Sequence, residues 1–228
     1  MSRRLVNLTL DNLDDLSRRC RSCVFWELDQ PGGERACETG AADLEKEAWV
    51  SDTLLEWGSC GQLIYVDGVA AGHVLYAPPA YVPRALAFAT SPISPDAILL
   101  MTAHVAPELA GGGLGRMLVQ GVARDITRRG IKAIEAFGQA GPARGASAGA
   151  PGDAPVGLAR FPGSASSAPA CLLPAGFLLA VGFKTVRPHP RTPRLRLDAK
   201  SLVTWREDVE YALERLRGSI QAPALARS

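Results

Sequence analysis

The hydrophobic pattern in the middle of the chain changes its period three times between residues 97 and 137. An almost continuous apolar run begins at Ala97 and predicts a buried strand. A glycine-rich turn follows it, and apolar residues at steps of four then predict a helix over residues 114–129. The helical stripe consists of Leu118, Val122 and Ile126. A second apolar run, over residues 132–137, predicts a parallel return strand and completes a β-α-β unit.

A hairpin is predicted before this unit. Residues 62–66 and 69–77 are mainly apolar, and the intervening Asp67 and Gly68 adopt positive φ angles more readily than other residues. The segment over residues 78–96 is rich in proline and predicts an irregular crossover to Ala97. Two antiparallel strands therefore precede the central strand.

The first 57 residues predict one strand and two helices. Residues 5–10 alternate weakly as a strand, and Asp11 is a suitable N-cap for a helix that continues through residue 23. Pro31, Gly32 and Gly33 break the pattern, and a second helix is predicted over residues 41–57. The packing residues expected on this second helix are Leu44, Trp49, Leu54 and Trp57.

The last third of the chain predicts shorter elements. Residues 138–170 consist mostly of Gly, Ala, Pro and Ser, so we expect a flexible insertion. A short helix from Pro174 ends at Gly182, and arginines alternate with leucines over residues 194–197 as in a strand with one basic face. Thr204 and Glu207 form a capping box for a C-terminal helix. These elements predict a single domain over residues 1–217 and a tail over 218–228.

Composition restricts the class of protein. Of the 228 residues, 47% are hydrophobic, which is enough for a core, and the net charge of +2 favours neither nucleic acid nor a membrane as partner. The N-terminus becomes acidic before a signal-peptide core develops, so we expect a cytoplasmic protein. The five cysteines are interpreted as reduced thiols, and the Cys20-x-x-Cys23 pair lacks a second ligand pair, so no metal is expected.

The glycine turn predicts a ligand that carries phosphate. Its glycines let backbone N–H groups approach a ligand closely, and the N-terminus of the following helix attracts negative charge. A nucleotide-binding P-loop is excluded, because Arg116 and Met117 stand where that motif has Lys and Ser or Thr. A dinucleotide fingerprint is a remote alternative: Gly111 and Gly113 fit its first two glycines, and Glu135 lies at the distance of its ribose-binding acid.

The residues around this turn resemble motif A of the GNAT superfamily of N-acetyltransferases, and the peptide over residues 23–27 is similar to a segment in some bacterial members. In that motif a strand ending in Val-x-Pro precedes a loop of the pattern Arg/Gln-x-x-Gly-x-Gly/Ala. Here Val105 and Pro107 match the strand end, and Gly113 and Gly115 match the two glycines. The hairpin before the motif and a later short helix ending in Gly182-Phe183, which is similar to the family's motif B, follow the family's order.

The resemblance implies an α/β (α+β) fold: a mixed, mostly antiparallel twisted sheet with a central splayed parallel pair, flanked by helices. It also implies acetyl-CoA as co-substrate, with the pantetheine and thioester along Ala103, His104 and Val105. The pyrophosphate would lie against the loop formed by Gly111, Gly112, Gly113, Leu114, Gly115 and Arg116.

The sequence departs from the family pattern at two positions. Ala110 stands at the Arg/Gln position, so one side-chain contact to the pyrophosphate is missing. Leu178 stands where many members have the tyrosine that protonates the CoA thiolate. These departures keep open a second hypothesis, a catalytically weak or non-catalytic acyl-CoA-binding or interaction module on the same fold.

The activity that the resemblance implies is direct transfer of an acetyl group from acetyl-CoA to an amine in a ternary complex. A base is needed to deprotonate the acceptor, and the candidates are Glu135, His104 and Glu27. We expect a small-molecule or peptide amine as acceptor. The oligomeric state is left open between monomer and homodimer.

Overall fold

A computed structural model describes residues 2–141 and 171–200 of the chain. Within these residues the strands are β1 (Arg3–Asn7), β2 (Gly61–Val66), β3 (Val69–Ala77), β4 (Ala97–Val105), β5 (Ala133–Gln139), β6 (Leu173–Pro174), β7 (Lys184–Arg187) and β8 (Arg194–Asp198). The helices are α1 (Arg18–Arg21), α2 (Gln30–Glu38), α3 (Ala42–Glu56), α4 (Leu114–Arg128) and α5 (Ala175–Ala180). Most of the expected insertion, residues 142–170, and the expected C-terminal helix lie outside the described residues.

The strands form a single mixed sheet in the order β1-β2-β3-β4-β5-β8-β7, with β6 paired to β5 at one end. Neighbouring strands in this sheet are antiparallel, except that β4 is parallel to β5 and β5 is parallel to β6. The predicted hairpin is confirmed, with φ angles of 49° at Asp67 and 86° at Gly68. The predicted β-α-β unit is also confirmed, because α4 connects the parallel strands β4 and β5.

The two parallel strands separate soon after they meet. Their pairing covers Ala97–Leu99 opposite Ala133–Glu135 and no later residues, whereas β4 remains paired with β3 up to Val105. Beyond Leu99 the facing edges of β4 and β5 are therefore not bonded to each other. This is the splayed pair expected from the sequence, and it opens a wedge in the middle of the sheet.

A β-bulge changes which way the end of β4 faces. Leu75 of β3 lies opposite Thr102 and Tyr76 lies opposite Leu100, so Met101 is an extra residue on β4. An extra residue reverses the alternation of side chains along a strand. Ala103 consequently packs into the same core as Leu100, beneath α4, although the two residues are three positions apart. The side chains of Thr102 and His104 therefore point to the face of the sheet away from α4.

The sheet is covered on both faces. One core lies between the sheet and the two helices α4 and α5, and the other lies between the sheet and the N-terminal segments with the crossover before β4. The stripe of Leu118, Val122 and Ile126 on α4 is completely buried, as its spacing predicts. No helix among residues 2–141 and 171–200 is long and apolar enough to span a membrane.

The N-terminal helices differ from the sequence expectation. The helix expected from Asp11 through residue 23 is instead a 3₁₀ helix, Leu10–Asp15, followed by α1, and the chain is extended at Leu16. The amide of Asn12 donates to the Asn7 carbonyl and its oxygen accepts from the Thr9 amide, so local side-chain bonds replace a regular helix.

Helix α2 begins where a break was expected. The Asp29 side chain accepts a hydrogen bond from the Gly32 amide and caps the helix, and Pro31 lies in the first turn, where its missing N–H group carries no penalty. The expected break at Pro31, Gly32 and Gly33 is thus wrong, because these residues start a helix.

The buried face of α3 also differs from the expected one. The helix itself is confirmed, but Leu44 is 71% exposed and Lys46 is 2% exposed. The buried residues of the helix are Ala42, Lys46, Val50 and Thr53, which follow the helical period, and the first two of them lie two positions on either side of Leu44. Trp49, Leu54 and Trp57 are partly buried against the core, as expected of packing residues. A lysine therefore points into the protein.

Candidate active site

A cavity of about 470 Å³ lies between the end of β4 and residues 171–174, beyond the point where β4 and β5 separate. The end of β4, the glycine loop and the first turn of α4 form one side of it, and residues 171–174 with Phe177 of α5 form another. Ser17, Arg19 and Cys20 from the N-terminal region close a third side. The cavity thus joins the end of β4 to the N-terminus of α4.

The glycine loop prepares the N-terminus of α4 for an anion. Gly111 and Gly113 have φ angles of 81° and 79°, which glycine adopts without strain, and Gly113 is the N-cap of α4. Met117 makes the first backbone bond of the helix, to the Gly113 carbonyl, so the amides of Leu114, Gly115 and Arg116 precede the helical ladder. Such amides and the helix dipole attract negative charge.

One of the predicted loop residues does not line the cavity. The Gly112 amide donates to the Leu109 carbonyl across 3.4 Å, inside the loop, and the residue is absent from the cavity wall. The structure brings the other predicted cofactor-binding residues together on this wall: Ala103, His104, Val105, Gly111, Gly113, Leu114, Gly115 and Arg116.

Two contacts fix the loop against α5. A Cβ atom on Gly115 would lie 2.9 Å from the Cε2 atom of Phe177, so glycine permits the two helices to approach. The Arg116 guanidinium donates to the Ala180 carbonyl across 2.8 Å, at the C-terminal end of α5. The guanidinium is exposed at the cavity wall and supplies a positive charge beside the helix N-terminus.

A pair of histidines lies beneath the cavity. His73 of β3 and His104 of β4 are cross-strand partners whose ring centroids are 5.4 Å apart. His104 is half-buried and lines the cavity, whereas His73 is 1% exposed and its Nε2 atom has no hydrogen-bond partner. Burial lowers the pKa of His104, an effect that Glu108 opposes and Arg19 reinforces. Its ring is therefore neutral at neutral pH.

The other two base candidates lie away from the cavity wall. Glu135 is completely buried, with one carboxylate oxygen 3.1 Å from Arg194 and the other 3.3 Å from Arg196. The Ser94 amide donates to it as well, across 3.1 Å. The expected basic face of β8 is thus engaged by a buried carboxylate, and Glu135 is held as part of an ion-pair network.

Glu27 is also buried, at 4% exposure, and forms an ion pair with Lys46 of α3. The side chains of both partners are almost inaccessible to solvent. Its second oxygen accepts a hydrogen bond from the Trp26 amide. Both oxygens of the Glu27 carboxylate therefore have partners within the protein, Lys46 and the Trp26 amide.

Sequence reasoning did not select several residues of the wall, namely Ser17, Arg19, Cys20, Thr102 and Phe177. The bulge at Met101 places Thr102 on the cavity wall. The residues around a bulge carry no sequence pattern from which it could have been predicted. Ser17, Arg19 and Cys20 were missed because a continuous helix was predicted over residues 11–23, and such a helix would turn these side chains in other directions. Within the described residues no group of three or more Cys, His, Asp or Glu side chains is arranged to hold a metal ion.

No protein-family model matches the chain, and no curated protein matches it. Among solved structures, the PaiA N-acetyltransferase of Thermoplasma acidophilum, in complex with coenzyme A, matches with a TM-score of 0.50 and 12% identity over 87% of this chain and 99% of that one. The chain has the GNAT fold. An N-acetyltransferase of Staphylococcus aureus Mu50 matches with a TM-score of 0.49 and 11% identity over 87% and 99% of the two chains.

The GNAT fold confirms the fold class expected from the sequence, a mostly antiparallel sheet with a splayed parallel pair. A dinucleotide-binding fold requires a doubly wound parallel sheet, and the sheet here does not fit that requirement. Leu178, which the sequence resemblance sets opposite the family's tyrosine, is completely buried in the core beneath α4 and does not line the cavity.

Acid is expected to destabilise the protein through His73. Burial, together with the charges of His104 and Lys46, lowers the pKa of His73 to about 3. In the unfolded chain a histidine titrates near ~6.5. Below that pH the unfolded state binds a proton that the native state does not, so the free energy of unfolding decreases as the pH falls, by about 2 kcal/mol near pH 5.

Urea unfolding of the wild type and of His73→Gln, each at about pH 7 and pH 5, measures this contribution. The variant has no titratable group at this position, so its free energy of unfolding should fall less between the two pH values than that of the wild type. An equal fall in both proteins would show that His73 does not carry the effect.

Proposed function

We propose that this protein is an acyl-CoA-dependent N-acyltransferase that moves an acetyl group from acetyl-CoA to an amine. The observation that carries the proposal is the single cavity that joins the splayed end of β4 to the N-terminus of α4. A wedge with unpaired strand edges suits the amide-rich pantetheine arm, and the helix N-terminus suits the pyrophosphate. The chain shares its fold with an N-acetyltransferase solved with coenzyme A.

The residues of the cavity fit the two ends of this co-substrate. Backbone groups of Ala103 to Val105 would bind pantetheine and polarise the thioester carbonyl. The amides of Leu114, Gly115 and Arg116 would bind the pyrophosphate. These contacts come from the backbone, so the alanine at position 110 removes one side-chain contact and leaves the rest of the anion site in place.

His104 is the proposed general base. Of the three candidates it alone lines the cavity, and its lowered pKa keeps the imidazole able to accept a proton at neutral pH. The amine attacks the thioester carbonyl, its proton passes to the imidazole, and the carbon–sulfur bond breaks to release the CoA thiolate, which takes a proton from the imidazolium or from solvent. The acceptor would be a small-molecule or peptide amine that enters from the side of the N-terminal segments.

Replacement of His104 with Gln is expected to lower kcat by about 10²-fold to 10⁴-fold, because the base is lost. KM for acetyl-CoA should change little, since the backbone contacts remain. The wild-type kcat/KM should decline at acid pH with a midpoint below ~6.5, because the pKa of His104 lies below that ordinary value. Initial rates of CoA release over a range of pH measure both effects.

His189→Gln is the matched control for this test. His189 lies in the turn between β7 and β8, where its Nδ1 atom accepts a hydrogen bond from the Thr192 amide across 2.9 Å. Its replacement should leave kcat unchanged, together with the decline of kcat/KM at low pH, which is the acid limb of the pH profile. An acid limb that persists in His104→Gln would contradict the base assignment.

Glu135→Gln separates a structural carboxylate from a catalytic one. The change removes the charge that Arg194 and Arg196 share, so the free energy of unfolding should fall by about 1 to 3 kcal/mol. The acid limb of kcat/KM should remain, because Glu135 does not reach the cavity. Loss of that limb without loss of stability would restore Glu135 as the base.

A second candidate function is acyl-CoA binding without turnover. The burial of Leu178 favours it, since no hydroxyl stands at the position of the GNAT tyrosine to protonate the thiolate. Saturable acetyl-CoA binding without CoA release across a broad panel of amines would select this function. Release of CoA with any amine of the panel, abolished by His104→Gln, would select the enzyme.

A further inference from the structure

Two thiols that are distant in sequence meet next to the cavity. The Sγ atoms of Cys23, just after α1, and Cys171, just before β6, are 3.0 Å apart, although 148 positions separate the residues. Cys171 lines the cavity. Both side chains are partly exposed, so small molecules can reach them.

The surrounding packing holds the two thiols in register. The Trp26 indole Nε1 atom, three residues after Cys23, donates to the Cys171 carbonyl across 3.3 Å. Trp26 is 3% exposed and stacks on Phe88, with ring centroids 5.3 Å apart. A rigid aromatic side chain therefore ties the backbone of one cysteine to the segment that carries the other.

The two thiols differ in acidity: Cys23 is the nucleophile and Cys171 is the hydrogen-bond donor. The hydrogen bond from Cys171 lowers the pKa of Cys23 to about 7, against the effect of burial. The same bond, with burial, raises the pKa of Cys171. Cys20, which also lines the cavity, has its pKa raised by burial and stays protonated. A thiolate beside a protonated thiol is the arrangement of an oxidisable pair.

We propose that Cys23 and Cys171 form a modification site, a dithiol that peroxides oxidise to a disulfide at the wall of the cavity. The Cys23 thiolate attacks one peroxide oxygen, the O–O bond breaks, and the departing oxygen takes a proton, which leaves a sulfenic acid on Cys23. The Cys171 sulfur then attacks the Cys23 sulfur, the S–O bond breaks, and water leaves with the thiol proton. Two thiols are oxidised and one peroxide is reduced.

The geometry favours the second step. A disulfide has sulfur atoms about 2.05 Å apart, so the pair must shorten by roughly 1 Å from its present separation. The bond would join the turn after α1 to residue 171 and so connect two sides of the cavity. This site does not depend on the function proposed above.

Peptide mapping of the full chain tests the proposal. The reduced protein is treated with hydrogen peroxide, free thiols are blocked, and the protein is digested with trypsin without reduction. Cleavage after Arg21 places Cys20 and Cys23 on different peptides, so the partner of each can be assigned. We expect free thiols to fall from five to three, a mass lower by about 2 Da, and one linked peptide pair joining Cys23 to Cys171.

Single substitutions define the pair. Cys23→Ser and Cys171→Ser should each abolish the linked peptide, whereas Cys37→Ser, which changes an exposed thiol outside the pair, should retain it. Treatment with dithiothreitol should restore five thiols in the wild type. A sulfinic acid on Cys23 with no linked peptide, or a disulfide that contains Cys20, would overturn the proposal, and the wild-type map alone can show either.

Discussion

Gly113→Glu is expected to weaken acetyl-CoA binding by at least about 100-fold, because it places a carboxylate where two like charges of the pyrophosphate must lie. Gly113 is the N-cap of α4 and has a φ of 79°, and a Cβ there would meet no atom within 4 Å. The new side chain therefore fits without a clash, at a modest cost in backbone strain. Isothermal titration of the variant with acetyl-CoA measures the loss.

The same helix supplies a matched control at its other end. Gly130 follows α4, has a φ of 75°, and likewise has open space around its Cβ position. Gly130→Glu introduces the same charge and the same strain far from the anion site, so acetyl-CoA affinity should stay within about threefold of the wild type. Equal losses in both variants would attribute the effect to the helix as a whole and would contradict the loop assignment.

Lys46→Met is expected to lower the free energy of unfolding by about 3 to 5 kcal/mol, the cost of leaving one member of a buried ion pair without its partner. Both side chains are almost inaccessible, so the Glu27 carboxyl group would be left buried without its cationic partner. Methionine has nearly the length of the lysine stem, so loss of packing contributes little. Urea unfolding followed by circular dichroism gives the difference.

The double variant Glu27→Leu with Lys46→Met distinguishes charge burial from general damage. Removing both charges should recover much of the stability that Lys46→Met loses, since apolar residues of similar size often replace a buried pair without penalty. A double variant less stable than Lys46→Met would contradict this account. CoA release by the double variant also tests Glu27 as a base, and we expect the activity to survive.

Local signals account for the elements that the sequence predicts correctly. The Asp67-Gly68 hairpin, the stripe on α4 and the capping glycine of α5 each depend on residues a few positions apart. The glycine loop could be placed because a strand, a turn with positive φ angles and a helix follow in immediate succession. These parts of the fold can be predicted from sequence because the residues that determine them are close together in the chain.

The missed features depend on distant partners. The charge of Glu27 is compensated by Lys46, that of Glu135 by Arg194 and Arg196, and a single sequence does not show these pairings. A carboxylate at a suitable place is therefore easily taken for a base when it is part of a buried ion pair.

The position of one residue on β4 explains much of the site. A strand with strict alternation would turn Thr102 and His104 toward α4, and the extra residue at Met101 turns them to the other face. The bulge thus decides which side chains at the end of β4 lie on the face away from α4. The meeting of Cys23 and Cys171 could not be predicted either, because 148 positions separate the two residues and only the tertiary fold brings them together.

The most direct test of the central claim is an equilibrium titration of the wild-type protein with acetyl-CoA, CoA and NAD, followed by calorimetry. The claim is that the cavity formed by the end of β4, residues 171–174 and the N-terminus of α4 binds acyl-CoA. It predicts saturable binding of one acetyl-CoA and of one CoA per chain, in competition with each other, and no binding of NAD. Absence of heat with both CoA species, or saturable binding of NAD at the same site, would contradict it.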